Sequence, residues 1–247
     1  MATVVVEAPA RVAVAPVRTD RPVWWREILI VVAFLVPYDL IRAAASDHRG
    51  PALVHAQQVL SWERHLGLDV EAGLNAAVAG ERWAEVATAF WYAGLHYLVT
   101  PLVLLALFRW RPELYRRARL ALMAATAAAL VGYVTFPTAP PRMVPGYVDT
   151  LIATADVGWW PQHDSAGLNQ LAAMPSMHVG WALWCGLALA ALSRHWWQRA
   201  LAFTYPVITT AVVVATANHW LLDAVAGAAL VAAAWAALTR SPRRARP

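Results

Sequence analysis

The stretch MPSMHVGWALW, residues 174–184, decides how this chain is read. Pro175, Ser176 and His178 stand at the head of an apolar run, and polar groups are costly in hydrocarbon, where no water is available to bond them. They are tolerated where a helix end meets the membrane surface, and polar residues kept there are by default a functional hypothesis.

Working outward, 60% of the 247 residues are apolar and 14% charged, with a mean hydropathy of +0.47, which places the chain in the membrane class and excludes an ordinary soluble domain. Apolar runs fall at roughly 25–43, 84–108, 117–136, 175–193, 199–217 and 219–238. Each is near the ~20 residues that cross ~30 Å of hydrocarbon. The expected architecture is all-α: a polytopic membrane protein with a six-helix transmembrane bundle. Residues 51–80 mix apolar and charged residues at helical spacing, which predicts an interfacial amphipathic helix. Residues 1–22 read as a disordered N-terminal tail, 23–240 as the six-span domain, and 241–247 as a basic C-terminal tail. Arg18, Arg21 and Arg26 ahead of ILIVVAFLV, with AAAS at 43–46, have some ingredients of a signal peptide, but PYDLIR puts two charges before that site and favours a retained span.

All 20 basic residues are arginines, and they flank the apolar runs. Topology accounts for them better than nucleic acid does, and no nucleic-acid motif is present. Six spans put both termini on one side, together with 15 of the 20 arginines, including Arg109, Arg111, Arg116, Arg117, Arg119, Arg194 and Arg199. The positive-inside rule makes that side cytoplasmic. The expected location is a bacterial plasma membrane, with the polar helix ends facing outward. Cys185, alone in an apolar run, reads as a small buried hydrophobe.

On that outer side three distant stretches converge: FPTAPPRM (136–143), the MPSMH head of the fourth run, and TANHWLLD (216–223). His219 and Asp223 are four residues apart, so on a helix they stack on one face, and the carboxylate can hold one imidazole proton while the other nitrogen keeps a nucleophilic lone pair. Pro175 predicts a helix first turn, where backbone amides and the dipole attract an anion. Ser176 adds a hydroxyl, His178 a proton donor or acceptor, and Arg142, after two prolines, a planar fork suited to phosphate. These are the parts of phosphoryl transfer through phosphohistidine, with His178, His219 and Asp223 catalytic, Arg142 and Ser176 binding phosphate, and no metal or cofactor. His96, in YAGLH, is expected to make a polar helix contact.

Two other classes account for part of the pattern. A non-catalytic lipid carrier would explain the spans, and lipid transfer without phosphate release would favour it. A membrane metalloenzyme would use two His and an Asp, and chelator-sensitive activity would favour that; HExxH is absent and Arg142 would repel a cation.

PSMH (175–178) resembles the PSGH motif of the type 2 phosphatidic acid phosphatase superfamily, HWLLD (219–223) its HxxxD motif, and FPTAPPRM its Arg-containing first motif. The order of Glu63-Arg64 with LGL, Tyr92 with His96, Pro137 to Arg142, Pro175 to His178 and His219 to Asp223 is similar to the inositol phosphorylceramide synthase branch, an inositolphosphotransferase. The resemblance covers roughly residues 35–235. It implies a metal-independent six-helix core, His219 as nucleophile, Asp223 as its partner and His178 as general acid. Where the phosphatases carry a Lys and a Ser-Arg pair, this chain has Thr135 and Val212-Val213. Thinner neutralisation favours lower-charge substrates: a phosphodiester lipid, or another lipid phosphate or prenyl phosphate drawn from the membrane.

Overall fold

The structure, a computed structural model, describes residues 22–44, 49–160 and 170–239. The N-terminal tail, residue 22 aside, and the basic tail at 241–247 lie outside the described residues. The helices are α1 (Trp24–Ala44), α2 (Arg49–Leu66), α3 (Glu71–Val78), α4 (Arg82–Trp110), α5 (Pro112–Thr135), the single turn α6 (Thr150–Ala153), α7 (Met177–Leu192), α8 (Trp196–Ala202), α9 (Thr204–Ala215) and α10 (Leu221–Thr239). Among the described residues no strand forms, and Thr138 pairs with Ala172 in an isolated parallel bridge.

Among the described residues four segments are long and apolar enough to cross a membrane: α4, α5, the α8–α9 run Trp196–Ala215, and α10. They mark the chain as an integral membrane protein. Three of the six expected runs differ. The first forms α1, whose 21 residues include Arg26, Glu27 and Asp39. The fourth forms α7, apolar but with 16 residues only about 24 Å long, short of a ~30 Å core. The fifth is split at Phe203 into α8 and α9.

The expected helix across 51–80 is two helices. Gly67, at φ +67°, ends α2: its amide bonds Arg64 O at 3.1 Å and the Leu68 amide bonds Glu63 O at 2.8 Å, the paired bonds of a Schellman cap. This is the physical content of ERHLGL, in which a left-handed glycine turns the chain immediately after Glu63. The α2 face formed by Ala52, Ala56 and Val59 packs on Ala139, Leu171 and Trp220, so α2 sits against the loops that carry the polar stretches.

The main core is built on small residues. α10 packs on α5 and α7, and α7 also on α4 and α9. Ala118, Ala125 and Ala129 of α5 meet Trp184, Cys185 and Ala188 of α7 and Val231 of α10. The indole N–H groups are bonded within the bundle, Trp184 to Ala118 O at 2.8 Å and Trp181 to Thr126 Oγ1 at 2.9 Å. Small residues let membrane helices approach closely. The closest approach is at Gly227 of α10, where a Cβ would stand 1.9 Å from the carbonyl oxygen of Ser176.

Candidate active site

The starts of α7 and α10 are tied to each other. Ser176 is the N-cap of α7, with its Oγ 3.4 Å from the Val179 amide, and its own amide donates to the Asp223 carbonyl at 2.8 Å. Pro175 therefore precedes the helix instead of opening its first turn; its carbonyl accepts the Tyr133 hydroxyl at 3.0 Å, which fixes it to the end of α5. Ser176 is fully buried. The structure thus places Ser176 at the α7 cap, where its hydroxyl is engaged with its own helix.

His219 does not lie on a helix with Asp223; it is two residues ahead of α10, in a loop that passes through Ala217 at φ +53°. Its Nδ1 is 2.9 Å from the Ala173 carbonyl and 3.6 Å from Asp223 Oδ2. A carbonyl only accepts, so Nδ1 carries the hydrogen and Nε2 the lone pair. Nε2 is 3.3 Å from Nδ1 of His178, which donates to it in this tautomer. Asp223 Oδ2 also accepts the Trp220 amide at 2.9 Å, the third-residue half of a capping box. The aspartate holds the helix start and borders the imidazole, while the shorter contact to Nδ1 comes from the main chain.

Arg142 enters from the loop after α5. Its amide donates to Ala217 O at 2.8 Å, and its Nε donates to Asn218 Oδ1 at 2.9 Å, next to His219. Nη1 lies 3.4 Å from both Asp149 Oδ2 and Gln170 Oε1. The guanidinium is fixed in place and part of its charge is matched by Asp149.

The five residues singled out from sequence are thus brought to one end of the bundle, His178 against His219 and Arg142 joined to them through Asn218. Several neighbours were missed. Tyr92 stacks on His178 with ring centroids 4.2 Å apart, and His96, expected as a helix contact, meets the His178 ring edge-on at 4.7 Å. The signal was their spacing, since YxxxH puts both rings on one face of α4. Asn218 was flagged only by adjacency to His219, and the Ala173 carbonyl carries no side-chain signal. Glu63 of α2 and Glu71 of α3 also reach the start of α10, bonding the amides of Leu222 at 2.7 Å and Leu221 at 2.9 Å.

A membrane-embedded helical protein with two histidines paired at one end, His219 buried and His178 partly so, is the class these features define. The chain belongs to the PAP2 superfamily, whose sequence profile matches residues 57–237. Members of that superfamily are phosphatases that act on lipid phosphates, usually without a metal. No curated protein and no solved structure matches the chain.

Proposed function

We propose that the protein is a metal-independent membrane lipid phosphatase or phosphotransferase that works through a phosphohistidine on His219. The observation that carries this is the wiring of one imidazole: Nδ1 bonded to the Ala173 carbonyl at 2.9 Å, and Nε2 facing His178 at 3.3 Å. A phosphoryl group entering between the rings meets a lone pair on one side and an N–H on the other. His219 Nε2 attacks phosphorus as the P–O bond to the leaving group breaks, and the leaving oxygen takes the His178 proton. Water or an alcohol then attacks phosphorus, gives its proton to His178 and breaks the N–P bond. Arg142 neutralises phosphate charge, with the first turn of α7 at Ser176 adding its dipole.

The class of lipid is read from charge. Arg142 is already partly matched by Asp149, and Thr135, Val212 and Val213 supply no further cations. That supports a phosphodiester substrate and a place in the inositolphosphotransferase-like branch. The arginine distribution supports six spans over 23–240, both termini cytoplasmic, and a site that takes its lipid from the outer leaflet.

Purified protein should be given lipid phosphates, prenyl phosphates, phosphodiester lipids and soluble phosphomonoesters, with released phosphate and new lipid product both measured. Lipids, the phosphodiesters foremost, should turn over faster than soluble esters, and Arg142→Ala should lower the rate more than Arg142→Lys. Rapid hydrolysis of small soluble esters with no preference for a lipid chain would overturn this view of the pocket.

Asp223→Asn should bind substrate but lose most of its rate. The Asn carbonyl can still accept the Trp220 amide, so α10 starts normally, while the negative charge bordering His219 is gone. Unchanged kcat would remove Asp223 from the chemistry and leave it a cap.

A further inference from the structure

We propose that Glu63 and Glu71 are positioning residues for His219, two carboxyl groups that reach across the fold to lock the first turn of α10. The effect on rate rests on the proposed role of His219; the effect on structure does not.

A helix usually caps its own first amides with a side chain a few residues away. Here three successive amides at the start of α10 meet three carboxyl groups from three helices. Trp220 N donates to Asp223 of α10 at 2.9 Å, Leu221 N to Glu71 of α3 at 2.9 Å, and Leu222 N to Glu63 of α2 at 2.7 Å. All three residues are 0% exposed, although buried carboxylates are costly unless balanced. The partners of Leu221 and Leu222 are 150 and 159 residues away in sequence, so the α2–α3 pair is pinned directly behind the histidine loop. The amides held by α3 and α2 are two and three residues from His219, so a displacement of either helix reaches the histidine loop directly.

The second oxygens, Glu63 Oε2 and Glu71 Oε2, are sealed from water and have no other donor. After burial itself, the neighbouring Glu71 carboxylate favours a proton on Glu63, which it can accept as a hydrogen bond. Burial pushes the Glu63 carboxyl up to about 8; the Leu222 amide opposes this, and the charges of Glu71 and then Asp223 add to it. Tyr147, from the loop after Arg142, also lies within reach of the pair and feels the charges of Glu71 and Glu63, together with those of Arg64 and Asp69. The folded protein keeps on Glu63 a proton that the unfolded chain releases near 4.5. This contribution to stability is fully present below about pH 4.5 and is lost as pH rises through about 8.

The full-length protein in lipid nanodiscs tests this with Glu63→Ala and Glu63→Gln. Glutamine can accept the Leu222 amide and donate to Glu71, so it replaces the protonated carboxyl; alanine cannot. In Glu63→Ala the Leu222 amide should exchange its hydrogen at least about tenfold faster, and kcat should fall about tenfold with KM changed less than about twofold. Glu63→Gln should restore both. The thermal midpoint of the native protein should fall between pH 4.5 and 8, and this slope should flatten in Glu63→Gln. Unchanged Leu222 exchange in Glu63→Ala, or an equally steep slope in Glu63→Gln, would overturn the proposal. Activity surviving in His219→Ala would instead remove the nucleophile, while exchange and melting would still decide the role of the carboxyls.

Discussion

His219→Ala protein should fold and bind lipid but turn over no substrate, its rate lower by at least about 10³-fold. The loss should be this large because removing the imidazole deletes the bond-forming atom. The tautomer argument makes the expectation specific: of the two ring nitrogens Nε2 carries the lone pair, facing His178, while Nδ1 carries the hydrogen bonded to Ala173. Native enzyme given labelled lipid phosphate and quenched in base should carry an acid-labile phosphate that the variant lacks. Native turnover should also persist in EDTA. Full activity in the variant, or loss of native activity with the chelator, would rule out the metal-free histidine route.

The second large effect is expected at a residue with no side chain, in Gly227→Ala. The new methyl would stand 1.9 Å from the Ser176 carbonyl oxygen and 2.8 Å from its carbon. These are backbone atoms held by the α7 cap and by the Asp223 carbonyl, so no side chain can swing aside. α7 and α10 must part, at a cost of about 3 kcal/mol, which for a chain of this size lowers the melting midpoint by roughly 10 °C. Because His178 and His219 belong to those two helix starts, kcat of the surviving folded fraction should fall as well. Gly73→Ala in α3, with open space around the added carbon, should be neutral or slightly stabilising. Equal melting curves for the two variants would show that the α7–α10 contact is not tight.

The polar residues of the site stood out in the sequence because their background is apolar. Arg142, Ser176, His178, His219 and Asp223 occupy three short stretches at the ends of predicted spans, and span counting alone put those ends on one side. What spacing could not give was local geometry. The interval of four between His219 and Asp223 suggests one face of a shared helix, but the helix begins after His219, and the residues meet because a loop folds back. Pro175 suggests a helix start, but the cap falls one residue later, at Ser176. Glu63, within ERHLGL, and Glu71 fall in a segment whose mixed pattern suits an interfacial helix, and periodicity cannot distinguish a solvated carboxylate from one aimed at a distant helix amide. The count of spans differs where charge interrupts α1 and where α7 is too short, two quantities that a run of apolar letters does not weigh.

The tie between Ala173 and His219 uses a group that every amino acid possesses. The Ala173 carbonyl is aimed by the path of the chain, since its own amide is held by Thr138 O at 3.1 Å and the Leu171 carbonyl takes the Thr138 amide at 2.8 Å. Residue 173 can therefore change its letter, within the size limit set by its 3% exposure, without altering which nitrogen of His219 bears the hydrogen. A survey of substitutions would score the position as permissive, and a comparison of sequences would pass over it. Part of what would equip the proposed nucleophile is thus carried by the path of the backbone beside FPTAPPRM and not by the side chain at residue 173.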